Sequence, residues 1–339
     1  MSTSLTSPYW YRVAKLKPAL RESVAISRHR YRHQIWYVLH DRLGGGNHRF
    51  NSAAYGLVGL MDGSRTVQEI YDHAEASAGD HLPTQDELIQ MLGQLHGANM
   101  IQSDILPSTA ALLRQTQQQP GTRGASSVLN PLSVRIPVCN PERFLDRWKF
   151  LVSPWMTRGV LLLWMSIVSI AAIAALIHWE ALSAGLTDQL FMPSNLLILW
   201  LIYPVVKLLH ELGHAFAVKC WGGEVPAMGI QLLALTPIPY VDASASAAFA
   251  SKWRRMGVAA MGMMVELLLA AAALFVWLNV ETGLVRALAY NLMLICGVST
   301  LLFNGNPLLR YDGYYILADL IEIPNLAQRA TRYLGSVSY

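Results

Sequence analysis

Charge is scarce in this chain of 339 residues. Asp, Glu, Lys and Arg together make up 14% of it, against about 25% in an ordinary soluble domain. Hydrophobic residues make up 53%, and the mean hydropathy is positive. A wholly water-bathed globule is excluded by that balance. Cysteine is scarce too. Cys139, Cys220 and Cys296 are odd in number and far apart, which excludes a disulfide framework and leaves buried apolar thiols. The first residues, MSTSLTSPYWYRVAKLKPALRE, lack an apolar stretch, so no signal peptide is expected. The net charge is only +4, and no basic stripe carries interleaved aromatics. Nucleic acid is therefore not an expected partner.

What is present is unevenly spread. Residues 1–157 read as soluble and basic, and long apolar runs begin at Arg158. The expected fold is a multi-pass α-helical membrane protein, with about four spans plus a re-entrant segment, preceded by a small α+β domain. The expected parts are an N-terminal arm (1–30), a small domain (31–104), a linker and interfacial segment (105–157) and a membrane domain (158–339).

One apolar stretch, YPVVKLLHELGHAFAVKCWG at 203–222, holds His210-Glu211-Leu212-Gly213-His214, an H-E-x-x-H pattern. On a helix, positions i and i+4 share a face. His210 and His214 can therefore point at one metal ion. Glu211, one residue along, can take a proton from water, as in zinc-dependent hydrolases. Ionisable residues in a membrane-grade segment are costly and usually functional. Asp312, far downstream, is a candidate third ligand.

In the N-terminal part, QIWYVLHD, the turn RLGGGN and then HRFN read as a β-hairpin from Gln34. Residues 52–61 read as a helix capped by Ser52, Thr66 caps a second, and Pro83-Thr84 open a third. Met100-Ile101 reads as a short strand. Phe50, Asn51, Tyr55, Leu60, Asp62, Gly63, Thr66, Val67, Ile70, Leu88, Leu92 and Leu95 fall in an order that resembles the PqqD-like peptide-recognition domains. That resemblance implies a winged-helix-like unit to which a peptide adds as a strand beside the hairpin. A purely structural or docking role is the alternative. Residues 104–127 read as a linker. Residues 129–150 are expected to lie along the membrane surface, with Trp148 and Trp155 at headgroup level.

Spans are expected at 159–177, 195–218, 256–280 and 288–303. Residues 225–250 are apolar but rich in Pro, Gly and Ser, and suit a re-entrant hairpin or loop better than a helix. Basic residues flank alternate span ends: Arg143, Arg147, Lys149 and Arg158, then Lys252, Arg254 and Arg255, then Arg310, Arg329 and Arg332. The positive-inside rule then places both termini in the cytoplasm of a bacterial-type inner (plasma) membrane. It also puts the histidines and Asp312 at similar depth.

The run FNGNPLLRYDGYY places Asn304, Pro307, Asp312 and Gly313 in the pattern N-x-x-P-x-x-x-x-D-G. With HELGH, it resembles the site-2 protease family of intramembrane zinc metalloproteases. The resemblance covers residues 195–320. It implies Zn²⁺ held by His210, His214 and Asp312, water activation by Glu211, and a substrate contact from Asn304. Many members of that family carry G-P-x-x-N in the third span, where this chain has Gly262-Met263-Met264-Val265-Glu266. Glu266 reads either as a second carboxylate near the metal, orienting a histidine or shuttling a proton, or as a partner for Lys207. Asp242 reads as a turn cap or a substrate contact. Met256, Met261, Met263 and Met264 read as packing. The two resemblances together are similar to peptide zinc metalloproteases found near peptide modification and export systems. This implies a peptide substrate, the lipid bilayer, and a peptide exporter or modification enzymes as partners. Members often continue further, so the chain reads as a fragment or a short version. Two alternatives stay open: a non-proteolytic, peptide-binding membrane component of an export or modification system with a structural zinc, and a peptide-sensing regulator.

Overall fold

The computed structural model of the chain describes residues 7–31, 34–41, 47–78, 84–102, 133–184, 193–233, 236–323, 326–327 and 330. It divides into two compact units, Met1–Val128 and Leu129–Tyr339.

The first unit holds a short helix α1 (Trp10–Val13), strands β1 (Ala19–Leu20), β2 (Val24–Tyr31), β3 (Gln34–Asp41) and β4 (Asn47–Asn51), helices α2 (Ser52–Val58), α3 (Val67–Ala78) and α4 (Gln85–Gly97), and strand β5 (Ile101–Gln102). β3 and β4 pair antiparallel, as a hairpin should, and β2 pairs along the other edge of β3. The 1–30 arm is therefore corrected. Residues 24–31 form a strand, and Val13 is fully buried. The alternation in VAISRHRY is carried by buried His29 and Tyr31, which do not read as an apolar pattern. β5 pairs with β1.

The helix starts follow capping chemistry. The α2 cap is Asn51, not Ser52: its side chain accepts from the Ala54 amide at 2.8 Å. Thr66 and Glu69 exchange hydrogen bonds at 3.2 and 2.7 Å, and Thr84 and Glu87 do the same at 3.3 and 2.8 Å. Both are capping boxes. Leu39, Leu57, Ile70, Leu88, Leu92 and Leu95 close the core. The Gly-rich turn and the 104–127 linker lie outside the described residues.

The second unit begins earlier than expected. Strand β6 (Ser133–Cys139) pairs with β7 (Met228–Leu233), which pairs with β8 (Thr236–Val241), all antiparallel. The expected surface segment thus supplies a strand and the amphipathic helix α5 (Glu142–Val152), and the apolar Pro-rich stretch is a true hairpin. Lys219 binds Glu142 and lies 3.0 Å from Asp146, tying α5 down.

Helices α6 (Arg158–Ile177), α7 (Trp179–Ser183), α8 (Pro193–Cys220), α9 (Lys252–Asn279) and α10 (Leu284–Val298) follow. A π-helical turn (Ser299–Asn304) then leads to α11 (Asp312–Leu320). Four helical segments are long and apolar enough to cross a membrane: Arg158–Ile177, Asn195–Cys220, Lys252–Asn279 and Leu284–Asn304. α6 leaves Leu162, Leu163, Ile170, Ile173 and Leu176 more than half exposed. An apolar surface of that extent needs an apolar surrounding or a partner. The Trp164 indole donates to the Met264 carbonyl at 3.0 Å, joining α6 to α9. The Asn291 amide donates to Asn195 at 2.5 Å, joining α10 to α8. Gly222, at φ +85°, takes the left-handed turn that follows α8.

Candidate metal centre

One helical turn of α8 brings His210 and His214 together, with their Nε2 atoms 3.0 Å apart. Asp312 opens α11 and meets them from a remote part of the chain. Its Oδ2 lies 3.1 Å from His210 Nε2, and its Oδ1 lies 3.5 Å from His214 Nε2. One ligand atom from each of the three residues lies within 4.8 Å of the others. Both imidazoles are buried.

The outer nitrogen of each ring explains the arrangement. His214 Nδ1 lies 2.7 Å from the Val258 carbonyl. A carbonyl only accepts, so Nδ1 carries the proton and Nε2 is bare. His210 Nδ1 lies 3.0 Å from Glu266 Oε1, again facing an acceptor. That approach is close in distance but misaligned: His210 Nδ1 and Asp312 Oδ2 are both buried without a well-aligned hydrogen bond. The bare Nε2 of His214, the Nε2 of His210 and the Asp312 carboxylate thus converge on one point, where a cation would offset the crowding of lone pairs. The His210–His214–Asp312 group can hold a metal ion.

Gly262 makes the room. A Cβ built there would stand 2.5 Å from Nε2 of both histidines. Two other glycines permit the close packing that assembles the site. At Gly213, a Cβ would press on Val265 at 3.1 Å and on the Met261 carbonyl at 3.2 Å. At Gly313, it would press on the Gly305 backbone at 2.7 Å. Two imidazoles and one carboxylate form a mixed nitrogen and oxygen donor set of the kind that divalent transition metals take.

Glu211 points toward the hairpin, where its Oε2 accepts from the Val241 amide at 3.1 Å. That amide faces away from β7. In a strand, alternate residues share an edge, so Pro237 and Pro239 face the same way and have no N–H to offer. The outer edge of β8 is thus poor in donors, and Val241 spends its amide on Glu211.

Glu266 has no exposed surface. It takes an ion pair from Lys207 at 2.9 Å, and hydrogen bonds from Ser299 at 3.2 Å and Thr300 at 2.6 Å. The Asn304 amide nitrogen lies 3.4 Å from it. Asn304 is therefore buried in this polar network. Asp242 accepts from the Ser244 amide at 3.1 Å, which makes it a turn cap. α11 is held from its far end: Asp319 binds Arg255 at 2.8 Å, and Glu322 binds Lys252 at 2.7 Å.

The structure brings His210, His214, Asp312, Glu266 and Asn304 together and turns the Glu211 side chain to β8. Sequence reasoning missed Gly262 as the spacer, the Val258 carbonyl, and the paired hydroxyls of Ser299 and Thr300. The G-M-M-V-E spacing carried the only signal for the first of these, since it puts Gly262 one turn before Glu266. Searches against protein-family models, curated proteins and solved structures find no match to this chain.

Proposed function

We propose that this chain is a membrane-embedded zinc metalloprotease of the site-2 type, and that its N-terminal unit captures the peptide to be cut. The observation that carries the reading is the convergence of His210, His214 and Asp312 around a space kept open by Gly262. The paired HELGH and N-x-x-P-x-x-x-x-D-G motifs support it, as does their placement on apolar helices of membrane length. The distribution of Lys and Arg supports cytoplasmic termini in a bacterial-type inner membrane. A PqqD-like N-terminal unit supports a peptide substrate in maturation or export.

His210, His214 and Asp312 would hold a metal ion, which would supply Lewis acidity toward water and the scissile carbonyl. Glu211 accepts a proton from the attacking water as the oxygen–carbon bond forms. It returns that proton to the departing amine nitrogen as the carbon–nitrogen bond breaks. The Val241 amide keeps the Glu211 carboxylate from swinging away. Asn304 turns its amide nitrogen to Glu266 and Ser299, so its part in holding an extended peptide falls to the side-chain oxygen, which would accept from a peptide N–H.

The experiment is mass-spectrometric detection of cut bonds in a library of apolar peptides, using the full chain in detergent. Glu211→Gln should keep its zinc and lose cleavage by at least 10²-fold, on the order of a general base's contribution. Undiminished cleavage by that variant rejects the mechanism.

A further inference from the structure

We infer that Lys207 and Glu266 form a positioning pair for the metal centre. The carboxylate fixes the ring of His210 through Nδ1, and the ammonium balances the carboxylate's charge. This rests on the metal-centre part of the proposed function and is independent of proteolysis.

A buried ion pair that merely joined helices would account for Lys207 and for the hydroxyls of Ser299 and Thr300. It would not account for where the carboxylate sits. Oε1 lies against the outer nitrogen of a ring whose other nitrogen faces Asp312. His214 shows the same design with a neutral partner, the Val258 carbonyl. A carboxylate raises the basicity of a ligand imidazole more than a carbonyl does, and groups in this position tune metal affinity. The two rings are therefore supported unequally: His214 by an aligned neutral acceptor, His210 by a charged one that stands 3.0 Å away without full alignment.

The π-helical turn serves this pair. It presents two consecutive hydroxyls, Ser299 to Oε1 and Thr300 to Oε2. Lys207 also touches the Ser299 hydroxyl, at 2.5 Å. Each carboxylate oxygen thus has a proton donor of its own, and the ring of His210 has one position to take. The widened turn closes the fourth long helical segment, and π-helical turns often mark functional sites. Charge also balances: Lys207 cancels Glu266, so the pair leaves the net charge of the three-ligand set unchanged.

The test uses the full chain in detergent with Co²⁺ as the probe. Visible absorption reports donor geometry, and competition with a chelator gives affinity. Glu266→Gln alone strands Lys207, so the paired substitution Lys207→Met/Glu266→Gln carries the test by removing both charges. The expected result is a folded protein whose Co²⁺ affinity falls about 10- to 100-fold, with a changed spectrum. Asn195→Ala/Asn291→Ala removes a polar tie of α8 to its other neighbour, α10, away from the ligands and should leave affinity unchanged. Parent affinity and spectrum in the Lys207/Glu266 pair variant overturn the positioning role while leaving the metal centre standing. An equal loss in the Asn195/Asn291 control overturns it as well. A parent protein that takes up no Co²⁺ overturns both the pair and the centre.

Discussion

A Cβ on Gly262 would stand 2.5 Å from Nε2 of His214, well inside the contact distance of two unbonded atoms. The helix therefore carries a glycine in its interior at a cost of about 1 kcal/mol relative to alanine. Gly262→Ala should strengthen α9 as a helix and yet abolish metal uptake. Metal content and helix content measured on the same preparation separate the two effects. Normal metal uptake in this variant would show that the space between the imidazoles serves nothing.

The far end of α11 should matter to Asp312 as much as the near end. Arg255 is 6% exposed, and its Nε meets Asp319 at 2.8 Å. Asp319→Leu leaves that guanidinium without its carboxylate. Breaking a buried pair from one side costs about 3–5 kcal/mol, and the partial exposure of Asp319 places this case at the low end. The unfolding temperature should fall, and bound metal should dissociate faster, because α11 carries Asp312. An unchanged metal off-rate would mean that the loop before Asp312 positions it alone.

Asp62 sets a pH limit in the first unit. The Ser64 hydroxyl and amide hold its carboxyl down to about 2, from an ordinary 3.8. A depressed folded-state value means that the stabilisation is complete above the unfolded value and is lost as pH falls through the folded one. Amide exchange at Ser64 and Arg65 should therefore quicken between about pH 4 and pH 2 relative to the intrinsic rate. Asp62→Asn should remove that pH dependence. Flat protection in the parent over the same range would contradict the assignment.

Much of this was legible in the sequence because the signals are local. HELGH needs only helical spacing, and the long apolar runs need only length. The capping boxes at Thr66 and Thr84 announce themselves within four residues. What was not legible depends on distance. β2 reads as a basic arm because its buried positions are His29 and Tyr31, which do not register as an apolar stripe. β6 contains Pro137 and sits at a sheet edge, where proline is tolerated, so SVRIPVC does not read as a strand. Gly262 looks like a helix weakness until two rings from another helix arrive beside it. Lys207 and Glu266, 59 positions apart, read as paired or as separate with equal justice until the helices pack. Asp312 was reached through its resemblance to a known motif, and the pairing of that carboxylate with the histidines is a fact of the fold.

α8 and the start of α11, remote in sequence, meet where one divalent ion would bind both. Zinc content of the purified full chain, beside that of Asp312→Ala, tests this. One zinc per chain is expected in the parent and its loss in the variant, with the four long helices intact. A parent without zinc, or an Asp312→Ala protein that keeps a full complement, would contradict it.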